Sequence, residues 1–250
     1  MHIHVTTDYA ELSRAGADLI AAVIAANPTA ALLLATGETP MGVYRELAER
    51  RQRGEIDSSR LRIFQLDAYL GITEDDPRSL YGWMKRSVLD PLGIPDEHVV
   101  RLPGDAPDPL AVCHAYDAAV QAGGGIDLAV LGLGPNGHLG FNEPRSDASA
   151  PTRVVELSAA SVQSNARYWG GPDLVPRQAL TAGMNILLAA RQTLLVVSGE
   201  HKRDILRRMV EGPITPAVPA SYLQTAPAVT VIADNAAWST PAQASTQAQG

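Results

Sequence analysis

The stretch DLAVLGLGPNGHLGFNEP, residues 127–144, joins an apolar run to a loop rich in glycine and polar side chains. The run LAVLGL is typical of a strand that is buried on both faces of a parallel sheet. Four glycines then surround Asn136, His138 and Glu143. Glycine allows positive φ angles and a close approach of the backbone to a ligand, at an entropic cost. The stretch therefore predicts a central strand whose following loop belongs to a ligand site.

Apolar, strand-like runs alternate with helical patterns on both sides of this stretch. Such alternation predicts right-handed crossovers and a mostly parallel sheet with helices on both faces. We expect an α/β, Rossmann-like, single-domain protein with about seven strands over residues 1–235, and a disordered tail over residues 236–250, which is small and polar. The predicted strands are HIHVTT (2–7), ALLLA (31–35), LRIFQL (61–66), VVRLPG (99–104), LAVLGL (128–133), TLLVVSGE (193–200) and AVTVIA (228–233).

Composition limits the classes of function. The 250 residues are 46% hydrophobic and 19% charged, which is enough to bury a large core. A net charge of −7 argues against nucleic acid as a partner. The single cysteine, Cys113, excludes an intramolecular disulfide and is interpreted as a small buried residue. No signal peptide and no membrane-spanning run is evident, so we expect a cytoplasmic protein.

Polar motifs follow four of the predicted strands, where parallel sheets bind ligands. After the second strand, Thr36, Gly37 and Thr39 precede a helix whose free N–H groups attract anions. The loop matches neither common nucleotide motif, and an ordinary turn with a threonine N-cap explains it equally well. Arg167 and Lys202 would complete a phosphate site with this loop, although each alone reads as a solvated surface charge.

Three further side chains have the chemistry for proton transfer. Asp67 follows the apolar run LRIFQL, so we place it at the end of a strand, where partial desolvation raises the pKa of a carboxyl group. The alternative is that the Asp67 side chain only caps a helix or a turn at the end of the strand. His138 lies between Asn136 and Glu143, and either neighbour could orient its ring and fix its tautomer. A histidine in a loop without such neighbours usually has no role in catalysis.

Taken together, the motifs resemble those of glucosamine-6-phosphate deaminases, in the superfamily shared with 6-phosphogluconolactonases. The resemblance runs from about residue 1 to about residue 235, and GHLGFNEP is its most specific segment. The other matching segments are ATGETPMGVYREL, FQLDAYLGI, SLYGWMKRSVLD, TRVVEL, VPRQALTAGMNILLAA and SGEHKRDILRRMVEG.

The resemblance implies a function and a role for each of these residues. His138, helped by Glu143, would move a proton during opening of a sugar ring, and Asp67 would carry a proton from C2 to C1 as ammonia is lost. The loop from Thr36 to Thr39 would hold a sugar phosphate together with Arg167 and Lys202. No metal or organic cofactor is expected, because each step is a proton transfer.

The sequence departs from the family pattern in three places. Asn136 replaces an aspartate common beside the histidine; an amide can still accept a hydrogen bond from the ring but stabilises its cation less. Glu38 stands where glycine is usual, and its carboxylate is unfavourable beside a phosphate unless it points away. Arg153 is present, but Val155 replaces the lysine with which allosteric hexamers bind an N-acetylated sugar phosphate, so we expect no such control.

Other functions fit the same residues. The chain could act on another hexosamine phosphate, such as galactosamine 6-phosphate, with Glu38 as the main reason. It could hydrolyse 6-phosphogluconolactone, although the FNEP segment speaks against this. A non-enzymatic sugar-phosphate sensor also fits, because fold alone does not fix function. Monomer and homo-oligomer are both open.

Overall fold

Strands and helices alternate along the computed structural model, which describes residues 1–238. No helix within this range is long and apolar enough to cross a membrane. The strands are β1 (His2–Thr6), β2 (Ala31–Leu34), β3 (Arg62–Gln65), β4 (Asp67–Tyr69), β5 (Val99–Val100), β6 (Leu128–Gly132), β7 (Arg153–Glu156), β8 (Gln178–Thr181), β9 (Gln192–Val197) and β10 (Val229–Asp234). The helices are α1 (Tyr9–Ala26), α2 (Glu38–Gln52), α3 (Leu80–Met84), α4 (Asp90–Leu92), α5 (Pro109–Ala122), α6 (Ala159–Trp169), α7 (Met184–Ala189), α8 (Arg203–Glu211) and α9 (Asn235–Trp238). One π-helical turn, Lys85–Leu89, joins α3 to α4.

The main sheet has seven strands in the order β1-β10-β9-β6-β2-β3-β5, and each neighbouring pair is parallel. These are the seven strands that the sequence predicts. After β2 the chain proceeds through β3 to β5, whereas after β6 it proceeds through β9 to β10 in the opposite direction. The β2–β6 pair is therefore a topological switch point, where a crevice opens beyond the carboxyl ends of the strands.

Both faces of this sheet are buried, which explains the unbroken apolar runs. In β6, Ala129 and Leu131 pack into one core, whereas Leu128 and Val130 pack into the other. Alternate residues of a strand point to opposite faces, so a strand covered on both sides needs apolar residues at every position. The predicted interpretation of Cys113 is confirmed, because it is buried in the first of these cores.

A second sheet of three antiparallel strands, in the order β4-β8-β7, was not predicted. It corrects the placement of Asp67, which begins β4 instead of ending β3. The Gln65 side chain explains the break. Its amide donates to the Asp67 carbonyl at 2.8 Å and accepts from the Leu102 N–H at 3.0 Å, so the chain leaves the main sheet here. A small aromatic core of Tyr69, Phe141 and Trp169 packs against this second sheet.

Helix α9 extends the folded chain beyond the predicted boundary at residue 235. The Asp234 carboxylate accepts a hydrogen bond from the Ala237 N–H at 2.8 Å, and the Ala237 side chain is buried. This cap keeps residues 236–238, which we expected in the tail, in a helical turn. The rest of the predicted tail, residues 239–250, lies outside the described residues.

Candidate active site

A cleft of about 310 Å³ opens at the switch point of the main sheet. It is lined by the loops that follow β2, β6 and β9, by the start of β4 and by one face of α6. Its volume is in the range of small-molecule sites. The predicted site residues that line it are Thr36, Gly37, Glu38, Thr39, Asp67, His138, Arg167 and Lys202.

The β2–α2 loop presents backbone N–H groups to one end of the cleft. Gly37 is the N-cap of α2 and has a φ of 118°, a conformation that glycine adopts without strain. Within the described residues, no side chain forms a cap hydrogen bond at this helix start, so the alternative of a threonine N-cap is wrong. The first turn of a helix leaves N–H groups unpaired, and these groups favour an anion.

Two cations stand near this loop. The Lys202 ammonium donates to the Leu133 carbonyl at 2.7 Å, and burial together with the nearby positive charge of Arg167 lowers the pKa of Lys202 to about 8. Arg167, in the last turn of α6, is exposed and donates to the Tyr168 hydroxyl at 2.7 Å. Like charges kept close together are unfavourable unless an anion sits between them, so this end of the cleft is suited to a phosphate.

Glu38 points at Arg167 and not away from the site. Its Oε2 lies 2.8 Å from Nη2 of Arg167, and both side chains are more than half exposed. The Glu38 carboxylate therefore forms an ion pair with the guanidinium group that a phosphate would need. In this position the Glu38 side chain would compete with a bound anion for Arg167, and only the backbone N–H of Glu38 is suited to bind phosphate.

Asp67 lies deeper in the cleft, at the start of β4. Its side chain is almost fully buried, and no residue among 1–238 donates a hydrogen bond to its carboxylate. Burial alone raises the pKa of Asp67 to about 7. A carboxyl group that titrates near neutral pH can both accept and return a proton under physiological conditions.

The ring of His138 packs directly on the backbone of Gly134. A Cβ at position 134 would lie 2.2 Å from Nε2 of this ring, so only glycine leaves room for it. The other ring nitrogen, Nδ1, lies 3.5 Å from Oε2 of Glu143 and 3.3 Å from the Ser161 hydroxyl. An ionised carboxylate accepts only, so Nδ1 carries the proton and Nε2 is left as the acceptor.

Glu143 and Asn136 lie behind the histidine and do not line the cleft. Burial raises the pKa of Glu143, but hydrogen bonds and charge from His138, with Ser161 and Asn136, outweigh it and lower the pKa to about 2. The Asn136 amide donates to Oε2 of Glu143 at 2.9 Å, and its oxygen accepts from the backbone N–H of His138 at 3.2 Å. An amide at position 136 could accept from the ring, but here its oxygen closes the turn of its own loop.

Aromatic side chains from α6 and the α3 region form the remaining wall. The rings of Trp83 and Tyr168 have centroids 5.7 Å apart, and the Arg78 guanidinium lies 4.4 Å above the ring of Trp169. This wall gives the cleft an aromatic surface beside Arg167, whose guanidinium lies 4.7 Å from the centroid of the Tyr168 ring. Among residues 1–238, no group of three or more His, Cys, Asp or Glu side chains could hold a metal ion.

Residues 7–232 match the family described as glucosamine-6-phosphate isomerases/6-phosphogluconolactonase. The chain belongs to this family. Glucosamine-6-phosphate deaminase 2 of Bacillus subtilis (strain 168) is 42% identical over 236 residues, which cover 94% of this chain and 95% of that protein. A glucosamine-6-phosphate deaminase of Halothermothrix orenii is 40% identical over 95% of this chain and 98% of its own length.

Solved structures agree with this assignment. A structure described as a monomeric glucosamine-6-phosphate deaminase superposes with a TM-score of 0.93 at 36% identity and covers 95% of this chain and 98% of its own. A 6-phosphogluconolactonase from Trypanosoma brucei superposes with a TM-score of 0.76 at 21% identity over 94% of this chain and 97% of its own. The second likeness is to the fold alone.

The structure of this family member brings the predicted residues together in two layers. Eight of them line the cleft, and Asn136 and Glu143 support His138 from behind. Sequence reasoning missed Ser161, Tyr168 and the tryptophans of the wall. The segment SVQSNARYW contains Ser161, Tyr168 and Trp169 beside Arg167, but they are not three or four positions from Arg167, so helical periodicity does not assign them to its face.

Proposed function

We propose that this protein converts glucosamine 6-phosphate and water into fructose 6-phosphate and ammonia. The observation that carries the proposal is the placement of a buried carboxyl group, Asp67, in one cleft with the supported His138 and with a cationic end. The family assignment supports the same substrate class. The chemistry needs an anchor for phosphate and two groups that move protons, and this cleft offers both.

The anchor holds the phosphate at the end of the cleft formed by the β2–α2 loop. Lys202 and Arg167 supply charge, and the amides at the start of α2 supply directional hydrogen bonds. Glu38 must release Arg167 for this contact to form. Binding energy from the phosphate then orients the sugar toward Asp67 and His138.

The reaction begins with ring opening. Nε2 of His138 accepts the proton of the C1 hydroxyl and returns a proton to the ring oxygen, so the C1 aldehyde forms and the C5 hydroxyl is released. The proton on Nδ1 stays between His138 and Glu143, which stabilises the transient imidazolium. Glu143 thus acts through the histidine and does not contact the sugar.

Isomerisation and loss of ammonia follow on the open chain. Ionised Asp67 removes the proton from C2 while the C1 oxygen takes a proton from the ammonium group at C2, which gives an enolamine with a hydroxyl group at C1. The same carboxyl group then delivers a proton to C1, and the nitrogen at C2 becomes an imine. Water adds to this carbon and ammonia leaves, so the product is the 2-ketose phosphate. A carboxyl group with a pKa near 7 suits both directions of this transfer.

The test is to incubate the purified full chain with glucosamine 6-phosphate and to measure ammonium and fructose 6-phosphate together. We expect the wild type to release ammonium and fructose 6-phosphate in equal amounts, and Asp67→Asn to release neither. The control is Asp173→Asn, a matched change at a carboxylate that is 99% exposed, and it should behave like the wild type. Turnover should persist in EDTA, since no step needs a metal. Failure of the folded wild type to release ammonium would refute the proposal, and galactosamine 6-phosphate and 6-phosphogluconolactone would be tried next.

The same preparation addresses regulation and assembly. Arg153 donates to Asn142 and Ser146, each at 2.8 Å, and Val155 offers it no second charge. We therefore expect hyperbolic kinetics that N-acetylglucosamine 6-phosphate does not alter. A sigmoidal curve would contradict this. A cytoplasmic location stays a prediction, and light scattering decides between monomer and homo-oligomer.

A further inference from the structure

We infer that Ser161 is a positioning residue for the His138–Glu143 pair. Ser161 lies in the first turn of α6 and is completely buried. Its hydroxyl oxygen is 3.3 Å from Nδ1 of His138, which is nearer than the 3.5 Å between Nδ1 and Glu143. The inference rests on the proposed function, because it concerns the group that opens the sugar ring.

The donors and acceptors around Nδ1 leave one consistent arrangement. Glu143 is ionised and can only accept, and the Ser161 hydroxyl is among the hydrogen bonds that lower the pKa of Glu143. The Ser161 oxygen therefore accepts from Nδ1–H of His138. Nδ1–H is shared between this oxygen at 3.3 Å and Oε2 of Glu143 at 3.5 Å, so two long contacts hold the same ring nitrogen.

Ser161 is itself held by its helix. Its N–H donates to the hydroxyl of Ser158, the N-cap of α6, at 3.1 Å, and its carbonyl accepts from the Asn165 amide at 2.9 Å. The N–H of Ser158 also points at Oε1 of Glu143, at 3.4 Å. The start of α6 thus fixes the serine and the carboxylate together, and rigid support of this kind sets the orientation of a reacting group.

Ser161 does not line the cleft, so it has no direct contact to offer a substrate. Its removal should affect the rate of ring opening and not the binding of the phosphate. We expect Ser161→Ala to lower kcat about tenfold or more, the usual cost of a hydrogen bond to a charged group, and to change KM by less than about twofold. Ser161→Thr retains the hydroxyl and should keep most of the wild-type kcat.

The matched control is Gln163→Ala, a neutral polar residue that is exposed on the same helix and outside the cleft. It should leave kcat unchanged. Thermal unfolding by circular dichroism checks that each variant is folded. If Ser161→Ala does not fold, Ser161→Thr and Ser161→Cys carry the comparison: the inference then requires the thiol variant to be much slower than the threonine variant, because sulfur is a weak hydrogen-bonding group.

A second readout does not depend on turnover. Nitrogen-15 chemical shifts of the His138 ring in the labelled full chain report which nitrogen carries the proton. We expect Nδ1–H in the wild type and in Ser161→Thr, and a mixture of tautomers or faster exchange of this proton in Ser161→Ala. Wild-type shifts in Ser161→Ala, or equal losses of kcat in the alanine and threonine variants, would overturn the inference. If the wild type releases no ammonium, the proposed function fails. The nitrogen-15 chemical shifts of the His138 ring then still show whether Ser161 holds the proton on Nδ1.

Discussion

Replacing Asp67 by asparagine should make the protein more stable while it removes activity. The Asp67 carboxyl group has an ordinary pKa of 3.8 in the unfolded chain and a pKa of about 7 in the folded one, because burial disfavours its charged form. Asparagine has nearly the same shape and carries no charge at any pH. The substitution therefore removes the cost of holding a carboxylate where no donor meets it.

The expected size of this effect follows from proton linkage. A pKa that is higher in the folded state adds no cost below the unfolded pKa of 3.8, because both states are then protonated. The cost grows as the pH rises and is complete above about 7. Each pH unit corresponds to about 1.4 kcal/mol, so the cost is about 1.5 kcal/mol at pH 5 and on the order of 4 kcal/mol at pH 8.

The assay is chemical denaturation of the wild type and Asp67→Asn at pH 5 and pH 8, with Asp173→Asn as the exposed control. The free energy of unfolding of Asp67→Asn should exceed that of the wild type by an amount that increases by about 2–3 kcal/mol from the lower to the higher pH. For Asp173→Asn the difference should stay within about 0.5 kcal/mol at both values. A stability difference for Asp67→Asn that does not change with pH would refute the reasoning, whatever its sign.

Three other predictions concern the groups that surround the cleft. The KM for glucosamine 6-phosphate should rise above about pH 8 as Lys202 loses its proton, and Lys202→Met should have a high KM at every pH. Glu38→Gln should lower KM about twofold to fivefold, the value of one exposed ion pair, because Arg167 is then free for phosphate. Gly134→Ala should reduce kcat about a hundredfold or more, since its Cβ would overlap the ring of His138 and displace it.

Steady-state kinetics across pH test all three, and each has a contrary result. A flat KM profile for the wild type would remove Lys202 from the phosphate site. A higher KM in Glu38→Gln would mean that Glu38 assists binding, for example through the substrate amine. Wild-type kcat in Gly134→Ala would mean that the exact position of the His138 ring does not matter for the rate.

The main sheet could be predicted from the sequence because burial on both faces leaves a strong local pattern. Runs such as the one in β6 are apolar at every position, and helical patterns separate most of them. The second sheet left no such pattern. Strand β4 has three residues and follows β3 after a single residue, and the break depends on the side chain of Gln65 reaching Leu102, a contact between distant segments.

The cleft residues could be predicted because the carboxyl ends of parallel strands meet at one edge. That rule brings Thr36, Asp67, His138 and Lys202 together without any knowledge of their orientation. Orientation could not be predicted in the same way. The Asn136 amide turns toward Glu143 because its oxygen is already used by the loop backbone, and Ser161 reaches His138 from a helix 23 positions later in the chain.

Helix α6 carries Ser161, which contacts the candidate histidine, near one end and the candidate phosphate-binding residue Arg167 near the other. Ser161 and Arg167 are six residues apart, which a helix converts to a fixed separation of about 9 Å along its axis. The helix thereby fixes the spacing between the contact to His138 and the guanidinium of Arg167. Under the proposed function, this spacing and the positions of Lys202 and the β2–α2 loop would together select sugars by the carbon that carries the phosphate.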